Sequence, residues 1–261
     1  MTTQTDRFSG KTVIVTGSSS GIGEGIARRF AAEGANVVLN SRSREDLEAV
    51  AADLDEARTL IVAGDVSSRD FAPQLIGETV GRFGALDVLV NNAGVGAFGM
   101  LADAEDEDID SVIDINVKGM LWLCRAAIAE LAKSKGCIVN TSSVSGTGGD
   151  WLLPIYNASK GAVTNLTRGL ALQLGAQGIR VNAVCPSLTE TEMAGGILDN
   201  EELFEAFKRR IPLGRPAQPA DIAGPVAFLA SEDARFVTGV NLAVDGGLSA
   251  SNGQPNFIAF Q

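Results

Sequence analysis

The 261-residue chain contains no histidine and only one tyrosine, Tyr156. Histidine is the side chain most often used for proton transfer near neutral pH, so its absence leaves few candidates for acid–base chemistry. Tyr156 stands four residues before Lys160 in Tyr-Asn-Ala-Ser-Lys, within a stretch of helical pattern. On a helix the two side chains share a face, where the lysine charge favours phenolate. Tyr156 is therefore the leading acid–base candidate, and the alternative is an ordinary half-buried tyrosine beside a solvated lysine.

Cysteines, basic clusters and long apolar runs are also scarce. Cys124, Cys137 and Cys185 are odd in number and widely spaced, which predicts neither a disulfide framework nor a metal site. The net charge is -11 without a long basic run, so we expect no nucleic-acid or anionic-membrane partner. No apolar run approaches a membrane span, and the first residues lack a signal-peptide pattern. These features predict a cytoplasmic protein.

Hydrophobic residues make up 45% of the chain, enough for one core, so we predict a single domain over 1–261, with its core at 11–247 and a tail at 248–261. Short runs rich in Val and Ile alternate with helical patterns, which predicts an α/β fold of parallel strands joined by crossover helices. The runs lie at 12–15, 37–39, 59–62, 88–90, 138–139, 181–184 and 240–244. The acidic residues at 103–110 are predicted to begin a helix, with a metal site as the alternative.

A glycine-rich segment, Thr-Gly-Ser-Ser-Ser-Gly-Ile-Gly, follows the first predicted strand at 16–23. Glycines allow a tight turn close to a ligand, and the start of the next helix offers unpaired N–H groups to a diphosphate. The pattern therefore predicts dinucleotide binding, although its spacing differs from G-x-G-x-x-G and a plain tight turn is the alternative. The candidate binding residues are Gly17, Ser19, Ser20, Gly21, Ile22 and Gly23.

The end of the second predicted strand indicates which dinucleotide is bound. An acidic residue there would accept hydrogen bonds from the ribose 2′-hydroxyl of NAD, but this chain has Ser41 and Arg42. Because arginine offers a charged fork for phosphate, NADP(H) is favoured over NAD(H). The alternative is a solvated arginine beside a helix that Ser43 caps with Asp46.

Several motifs together resemble the short-chain dehydrogenase/reductase family over about residues 11–247. They are the glycine-rich segment, Asn-Asn-Ala-Gly at 91–94, Ser143, and Tyr156 with Lys160. The resemblance implies a Rossmann-type, doubly wound, seven-stranded parallel sheet with a nicotinamide cofactor lying across the strand ends. It also implies a homodimer or homotetramer.

The resemblance assigns a role to each catalytic candidate. Tyr156 would pass a proton to or from the substrate oxygen. Lys160 would hold the nicotinamide ribose and, together with the positive charge of the oxidised nicotinamide ring, lower the pKa of Tyr156. Ser143, with Ser142 in reserve, would orient the substrate oxygen. Asn116 would help to hold a relay water near Lys160, unless it is a helix-interior asparagine with local bonds.

Further cofactor contacts are implied by the resemblance alone. Asp65 and Val66 match the family's adenine-binding pair, and the segment at 91–94 would run beside the adenosine half, although Asn91 could be a turn former. After the sixth strand the family's Pro-Gly is replaced by Pro-Ser, which puts the local backbone path in doubt. The positions implied here are Asp65, Val66, Asn91, Ala93, Gly94, Pro186, Thr189 and Thr191.

The expected reaction is NADP(H)-dependent interconversion of a ketone and a secondary alcohol. Apolar residues before Tyr156 and after Pro186 favour a hydrophobic or aromatic carbonyl, with ordinary packing as the alternative. They are Val144, Trp151, Leu152, Leu153, Met193, Ile197, Leu198, Phe204 and Phe207. Alternative functions are a 3-oxoacyl-[acyl-carrier-protein] reductase, an NAD-linked sugar or polyol dehydrogenase, an epimerase or dehydratase, and an NAD(P)-binding sensor without turnover.

The tail carries two aromatic residues, Phe257 and Phe260. We expect the tail to cover a pocket, and the alternative is a frayed terminus.

Overall fold

A sheet of seven parallel strands lies at the centre of the protein in the computed structural model, which describes residues 6–254. The strands are β1 (Thr12–Thr16), β2 (Asn36–Asn40), β3 (Thr59–Ile61), β4 (Val88–Asn91), β5 (Cys137–Thr141), β6 (Arg180–Pro186) and β7 (Asn241–Val244). The α-helices are α1 (Gly21–Ala32), α2 (Arg44–Ala51), α3 (Phe71–Phe83), α4 (Asp106–Ile113), α5 (Met120–Ser134), α6 (Pro154–Leu174), α7 (Gly195–Leu198), α8 (Glu201–Arg210) and α9 (Pro219–Ala230). Each predicted strand is found, with bounds shifted by at most two residues.

The strand order is β3-β2-β1-β4-β5-β6-β7, with every neighbouring pair parallel. The chain moves outward from β1 to β3 and then returns to place β4 on the other side of β1. This reversal is a topological switch point, and ligands of open α/β sheets bind beyond the carboxyl ends of the strands at such a point. The predicted doubly wound fold is confirmed.

Two apolar layers cover the two faces of the sheet. Alternate residues of β1 point to opposite layers, since Ile14 belongs to one buried cluster and Val13 and Val15 to the other. Helices α3, α5 and α6 supply the first layer, and α1, α2 and α9 supply the second. Because both faces are covered, successive residues in the middle of the central strands are apolar, as in Val13, Ile14 and Val15 of β1.

Other predictions concern the surface of the protein. The acidic run begins α4, whose first turn holds Asp106, Glu107 and Asp108. Within residues 6–254, no group of three or more His, Cys, Asp or Glu side chains is placed to hold a metal ion. No helix in that range combines the length and apolarity that crossing a bilayer demands. Phe257 and Phe260 lie outside the described residues, and the boundary of the tail stays a prediction.

Candidate active site

The glycine-rich turn packs so closely that side chains are excluded from it. Gly17 has φ +62°, and a Cβ there would lie 2.8 Å from Ala93 Cα. A Cβ on Gly23 would lie 2.0 Å from the carbonyl oxygen of Gly17. The turn therefore presses against both the first turn of α1 and the segment after β4, which explains its glycines.

The start of α1 is left without a side-chain cap. Ser20 occupies the N-cap position with φ -160°, yet its side chain makes no capping hydrogen bond. The first N–H groups of this 12-residue helix are thus available to an anion, and the helix dipole favours negative charge there. A Cβ on Gly21 would lie 2.9 Å from the Thr191 methyl carbon, so the segment after β6 passes over the turn. The cradle and the uncapped helix fit a dinucleotide.

Tyr156 and Lys160 lie on one face of α6, as their spacing predicts. Lys160 Nζ is 5.5 Å from the centroid of the Tyr156 ring. The Nζ group donates a hydrogen bond to the carbonyl oxygen of Thr141 at 2.8 Å, which ties α6 to the end of β5. Lys160 is buried, and this burial lowers its pKa to about 8.

The pKa of Tyr156 differs from the sequence-based expectation. Burial raises the pKa of the phenol, the nearby Ser143 hydroxyl lowers it, and the charge of Asp150 raises it. Lys160, whose Nζ donates to Thr141, is not among the groups that shift this pKa. The chain's own groups thus keep the phenol protonated at neutral pH. Of the two lowering charges expected, Lys160 does not contribute in the structure, and that of the oxidised nicotinamide ring stays a prediction.

Of the two adjacent serines after β5, only Ser143 faces the tyrosine. Ser142 donates its hydroxyl hydrogen bond to the carbonyl oxygen of Lys160 at 3.1 Å and serves to anchor α6. Ser143 is buried beside Tyr156, and its hydroxyl oxygen accepts the Ser145 N–H at 3.1 Å. The geometry favours Ser143 over its reserve as the group that orients a substrate oxygen.

Asn116 lies in a π-helical turn, Asp114–Gly119, between α4 and α5. Its Oδ1 accepts the Val95 N–H at 2.8 Å, and its Nδ2 donates to the Val95 carbonyl at 2.8 Å and to Ser159 Oγ at 3.0 Å. These partners are distant in sequence, so the local-bonding alternative is not what the structure shows. The π turn, a feature frequent at functional sites, directs Asn116 across the cleft to the loop after β4. The relay-water role stays a prediction.

The loop after β4 uses its two asparagines differently. Asn91 is buried and donates to Asn140 Oδ1 at 2.9 Å, so its side chain lies within the sheet. Asn92 donates to the Gly17 carbonyl oxygen at 3.1 Å and accepts from the Thr141 hydroxyl at 3.2 Å. Asn92 therefore fixes the glycine-rich turn, a role that we did not assign to it, although the shared motif contains it.

Gly94 lies at the bottom of the cleft. A Cβ there would be 3.2 Å from Asn116 Oδ1 and 3.5 Å from Lys160 Nζ. The predicted cofactor segment at 91–94 therefore reaches Lys160, and Ala93 packs beside Gly17. Of the segment's predicted contact residues, Gly94 lies beside Asn116 and Lys160, Ala93 packs against the apolar core, and the Asn91 side chain lies within the sheet.

The expected adenosine side lies at the ends of β2 and β3. Arg42 is exposed and has no ion-pair partner within residues 6–254, while Ser41 donates its hydroxyl to the Ser43 carbonyl at 3.1 Å. Ser43 caps α2 by accepting the Asp46 N–H at 3.3 Å, as predicted. Asp65 Oδ1 accepts from the backbone N–H and the hydroxyl of Ser67 at 2.9 and 2.7 Å, which closes a turn around buried Val66.

The segment after β6 is built without the family's glycine. Ser187 donates its hydroxyl to the Asp245 carbonyl at 3.2 Å, and no positive φ occurs there. The path after Pro186 therefore needs no glycine, which removes the doubt raised by the sequence. Thr189 is buried and donates to the Ser187 carbonyl at 3.0 Å, while Thr191 lies over the glycine-rich turn.

Comparison with known proteins agrees with this geometry. A family model described as Enoyl-(Acyl carrier protein) reductase matches residues 17–249. Meso-2,3-butanediol dehydrogenase of Serratia marcescens is 45% identical over 252 residues, which cover 97% of this chain and 100% of that protein. The chain belongs to the short-chain dehydrogenase/reductase family. As a short-chain dehydrogenase/reductase, it is an oxidoreductase that acts on the CH–OH and C=O pair with a nicotinamide cofactor.

Solved structures of two short-chain dehydrogenases/reductases from Brucella melitensis share the fold. One, a "Glucose/ribitol dehydrogenase", has a TM-score of 0.89 at 36% identity and covers 94% of this chain and 98% of its own. The other, a 3-ketoacyl-(acyl-carrier-protein) reductase complexed with NADH, has a TM-score of 0.87 at 35% identity and covers 92% and 99%. The predicted family and fold are confirmed.

Proposed function

We propose that this short-chain dehydrogenase/reductase uses NADP(H) to interconvert a hydrophobic or aromatic ketone and its secondary alcohol. The observation that carries the cofactor choice is Arg42, exposed after β2 and without an ion-pair partner among the described residues. A guanidinium free of a carboxylate is available to a 2′-phosphate, and no acid occupies the tip of β2 to repel that phosphate.

The cofactor would be held by groups from four places in the fold. The uncapped start of α1 would bind the diphosphate, and Gly94, Lys160 and Thr191 would lie beside the nicotinamide half. When bound, the nicotinamide would supply hydride exchange with the substrate carbon. In its oxidised form it would also add a positive charge near Tyr156, which lowers the pKa of the phenol. The cofactor contacts that the sequence predicts for the other binding residues are also part of this proposal.

Tyr156 would exchange the matching proton with the substrate oxygen. Burial keeps this phenol protonated at neutral pH, which suits a donor to a carbonyl oxygen. Ser143 would hold the same oxygen by a hydrogen bond, and Lys160 would supply a buried positive charge on the same face of α6. Asn116 would keep the cleft open by fixing Val95.

The substrate preference is supported by the apolar residues beside Tyr156. None of the nine predicted residues is buried, and six of them are half-buried. Trp151, Leu152 and Met193 are exposed, so ordinary packing does not account for these three. Phe98 and Met100 add to this surface, and the Gly99 N–H donates to the Leu152 carbonyl at 2.8 Å, which joins the two loops. Such a lining favours an apolar ketone.

A specific observation favours the NAD-linked sugar or polyol dehydrogenase as second candidate. A cavity of about 350 Å³ beside Ser19 and Ser20 is lined by the carboxylates Glu24, Asp46 and Glu192 and by Arg28. Arg28 pairs with Glu24 at 2.8 Å, which leaves Asp46 and Glu192 as the carboxylates that it does not neutralise there. Carboxylates accept hydrogen bonds from ribose hydroxyls and repel a 2′-phosphate. The 3-oxoacyl-carrier reductase is disfavoured because an enzyme of charge -11 repels an acidic carrier unless a basic patch intervenes.

Arg42→Ala tests the cofactor choice, with Arg44→Ala as matched control because Arg44 already pairs with Glu48 at 3.8 Å. Losing hydrogen bonds to a charged group should weaken NADP binding by about 1.5–3 kcal/mol and leave NAD binding unchanged. Steady-state kinetics with both cofactors measure this difference. Equal catalytic efficiency of the unmutated enzyme with NAD and NADP would contradict the proposal.

A substrate panel tests the reaction. Acetophenone, 2,3-butanediol, glucose and a 3-oxoacyl thioester are compared by the absorbance change of NAD(P)H at saturating cofactor. We expect the highest kcat/KM with the aromatic ketone. A preference for glucose with NAD would establish the second candidate, and cofactor binding without turnover on any compound would establish the sensor.

Assembly and location complete the proposal. Leu172 and Phe236 are 87% and 101% exposed, and such apolar side chains are well suited to an interface between copies. We expect a homotetramer or homodimer, which light scattering of the purified protein measures. The cytoplasmic location stays a prediction.

A further inference from the structure

Residues 191–210, which we call the flap, leave the body of the protein after β6 and return to it before α9. The flap contains α7 and α8, and none of its residues is buried. Its start passes over the glycine-rich turn, where a Cβ on Gly21 would lie 2.9 Å from the Thr191 methyl carbon, and Glu192 lines the cavity beside that turn. A segment with so little buried surface opens at a low cost in free energy.

Both ends of the flap are attached to the turn that follows β7, residues 245–249. Before the flap, the Ser187 hydroxyl donates to the Asp245 carbonyl oxygen at 3.2 Å. After the flap, the Leu213 N–H donates to the Gly246 carbonyl oxygen at 3.1 Å. This turn is therefore a common base for the two ends of the flap.

The carboxylate of Asp245 holds the turn in shape. Its Oδ1 accepts the Gly247 N–H at 2.9 Å, and its Oδ2 accepts the Ser249 N–H at 2.8 Å. Gly246 and Gly247 have φ values of +63° and +91°, and two such glycines give the turn little stiffness of its own. Asp245 is buried, so both oxygens depend on these N–H groups, and each N–H group depends on the carboxylate.

The start of the flap has a second anchor, but its end depends on the turn. The Ala217 N–H donates to the Leu188 carbonyl oxygen at 2.9 Å, and the Glu190 N–H donates to the Ala217 carbonyl oxygen at 2.8 Å. At the other end, buried Ile211 packs so closely on Gly246 that a Cβ there would lie 2.6 Å from the Ile211 Cγ2 atom. A looser turn therefore frees the end of the flap without detaching the whole segment.

We propose that Asp245 is a positioning residue that, by fixing the turn after β7, holds the flap over the glycine-rich turn and limits how fast the cofactor enters and leaves. This inference rests on the proposed function, in which the glycine-rich turn and the start of α1 bind the diphosphate. The flap covers that site with or without cofactor, so a looser base speeds association and release alike. A change that affects both states equally leaves the equilibrium affinity nearly unchanged.

Amide hydrogen exchange in the full-length protein measures the opening of the flap. Asp245→Ala removes both carboxylate bonds, and Ser187→Ala removes one neutral bond between the turn and the start of the flap. We expect peptides of residues 191–210 to exchange about tenfold faster in Asp245→Ala and about threefold faster in Ser187→Ala. Because the flap exchanges by local opening, a loss of global stability alone does not change these rates.

Stopped-flow fluorescence of NADPH gives the association and release rates. In Asp245→Ala we expect both rates to rise about tenfold, while Kd stays within about threefold of the unmutated value. NADH is measured in parallel, so that a wrong choice between the two cofactors leaves the test intact. If Asp245→Ala does not fold, the exchange and the rates of Ser187→Ala decide alone, with an expected rise of about threefold.

Asp55→Ala is the matched control. Asp55 also holds a turn, because its carboxylate accepts the Ala57 N–H at 3.0 Å and the Arg58 Nε–H at 2.8 Å. This turn lies before β3, at the edge of the sheet opposite to the glycine-rich turn. We expect neither flap exchange nor cofactor rates to change in Asp55→Ala, and a melting curve verifies that each variant is folded.

The outcomes separate the inference from the proposed function. If Asp245→Ala and Ser187→Ala matched Asp55→Ala in flap exchange and cofactor rates, the inference would be overturned and the proposed function would stand. A tenfold weaker Kd with an unchanged release rate would also overturn the inference. Absence of turnover on any ketone or alcohol by the unmutated protein would overturn the proposed function, and the flap exchange would still decide the role of Asp245.

Discussion

Lys160 Nζ lies 5.5 Å from the centroid of the Tyr156 ring but donates its hydrogen bond to the carbonyl oxygen of Thr141, 2.8 Å away. The lysine is thus anchored to the sheet rather than to the phenol. Burial holds the pKa of Lys160 down to about 8 and raises the pKa of Tyr156. In the proposed function, a bound oxidised cofactor would add a positive charge that lowers the pKa of Tyr156.

The buried lysine predicts a pH-dependent stability. Above pH about 8 the unfolded chain still binds the proton that folded Lys160 has released, so stability should rise from there toward 10.5, the ordinary pKa of the group. Below pH 8 the burial of the charged amine lowers the free energy of unfolding by about 3 kcal/mol, at about 1.36 kcal/mol per pKa unit. Urea unfolding of the unmutated protein and Lys160→Met at several pH values measures the difference. If the difference in unfolding free energy between the two proteins stayed constant between pH 7 and 10, the pKa of Lys160 would not be lowered in the folded protein.

Gly23 should not tolerate a side chain. A Cβ there would lie 2.0 Å from the Gly17 carbonyl oxygen, so Gly23→Ala must displace the turn that receives the diphosphate. We expect the affinity for NADPH to fall at least about tenfold, which is the effect of displacing one or two hydrogen bonds. Gly77→Ala is the matched control, because Gly77 is exposed within α3 with open space around it and should gain up to about 1 kcal/mol. Unchanged NADPH affinity in Gly23→Ala would refute the close packing.

Asn116→Ala should affect both stability and turnover. The substitution leaves the N–H and carbonyl of Val95 without their partner and removes the bond to Ser159. Unpaired groups of this kind cost about 1–3 kcal/mol each. We expect a loss of at least about 2 kcal/mol in unfolding free energy together with a lower kcat. Urea unfolding and steady-state kinetics measure the two effects, and a stable, fully active variant would show that Val95 does not depend on this clamp.

The inner strands β1, β2, β4 and β5 were predictable because each contains a run of Val, Ile or Leu, the pattern that a covered parallel sheet requires. The polar residues at the ends of the strands were not predictable. Asn91 and Thr141 end β4 and β5 as buried residues that pair with Asn140 and Asn92 across the sheet. Such partners are distant in sequence, so a local hydrophobic run cannot reveal them.

The candidate site shows the same division. The spacing of Tyr156 and Lys160 on one helix is a local property, and the structure confirms their common face. The bonds of Lys160 to Thr141 and of Asn116 to Val95 form only when separate elements meet at the cleft. The raised pKa of Tyr156 depends on burial, which the sequence pattern did not disclose.

Tyr156→Phe tests the central claim most directly, because it removes only the phenol oxygen. The account predicts that this variant binds NADPH as tightly as the unmutated enzyme and loses at least about a hundredfold in kcat, since acid–base catalysis contributes about 10²–10⁴-fold. Both quantities are measured on one preparation, by NADPH fluorescence titration and by turnover of the best ketone. A variant that turns over at the unmutated rate would contradict the account.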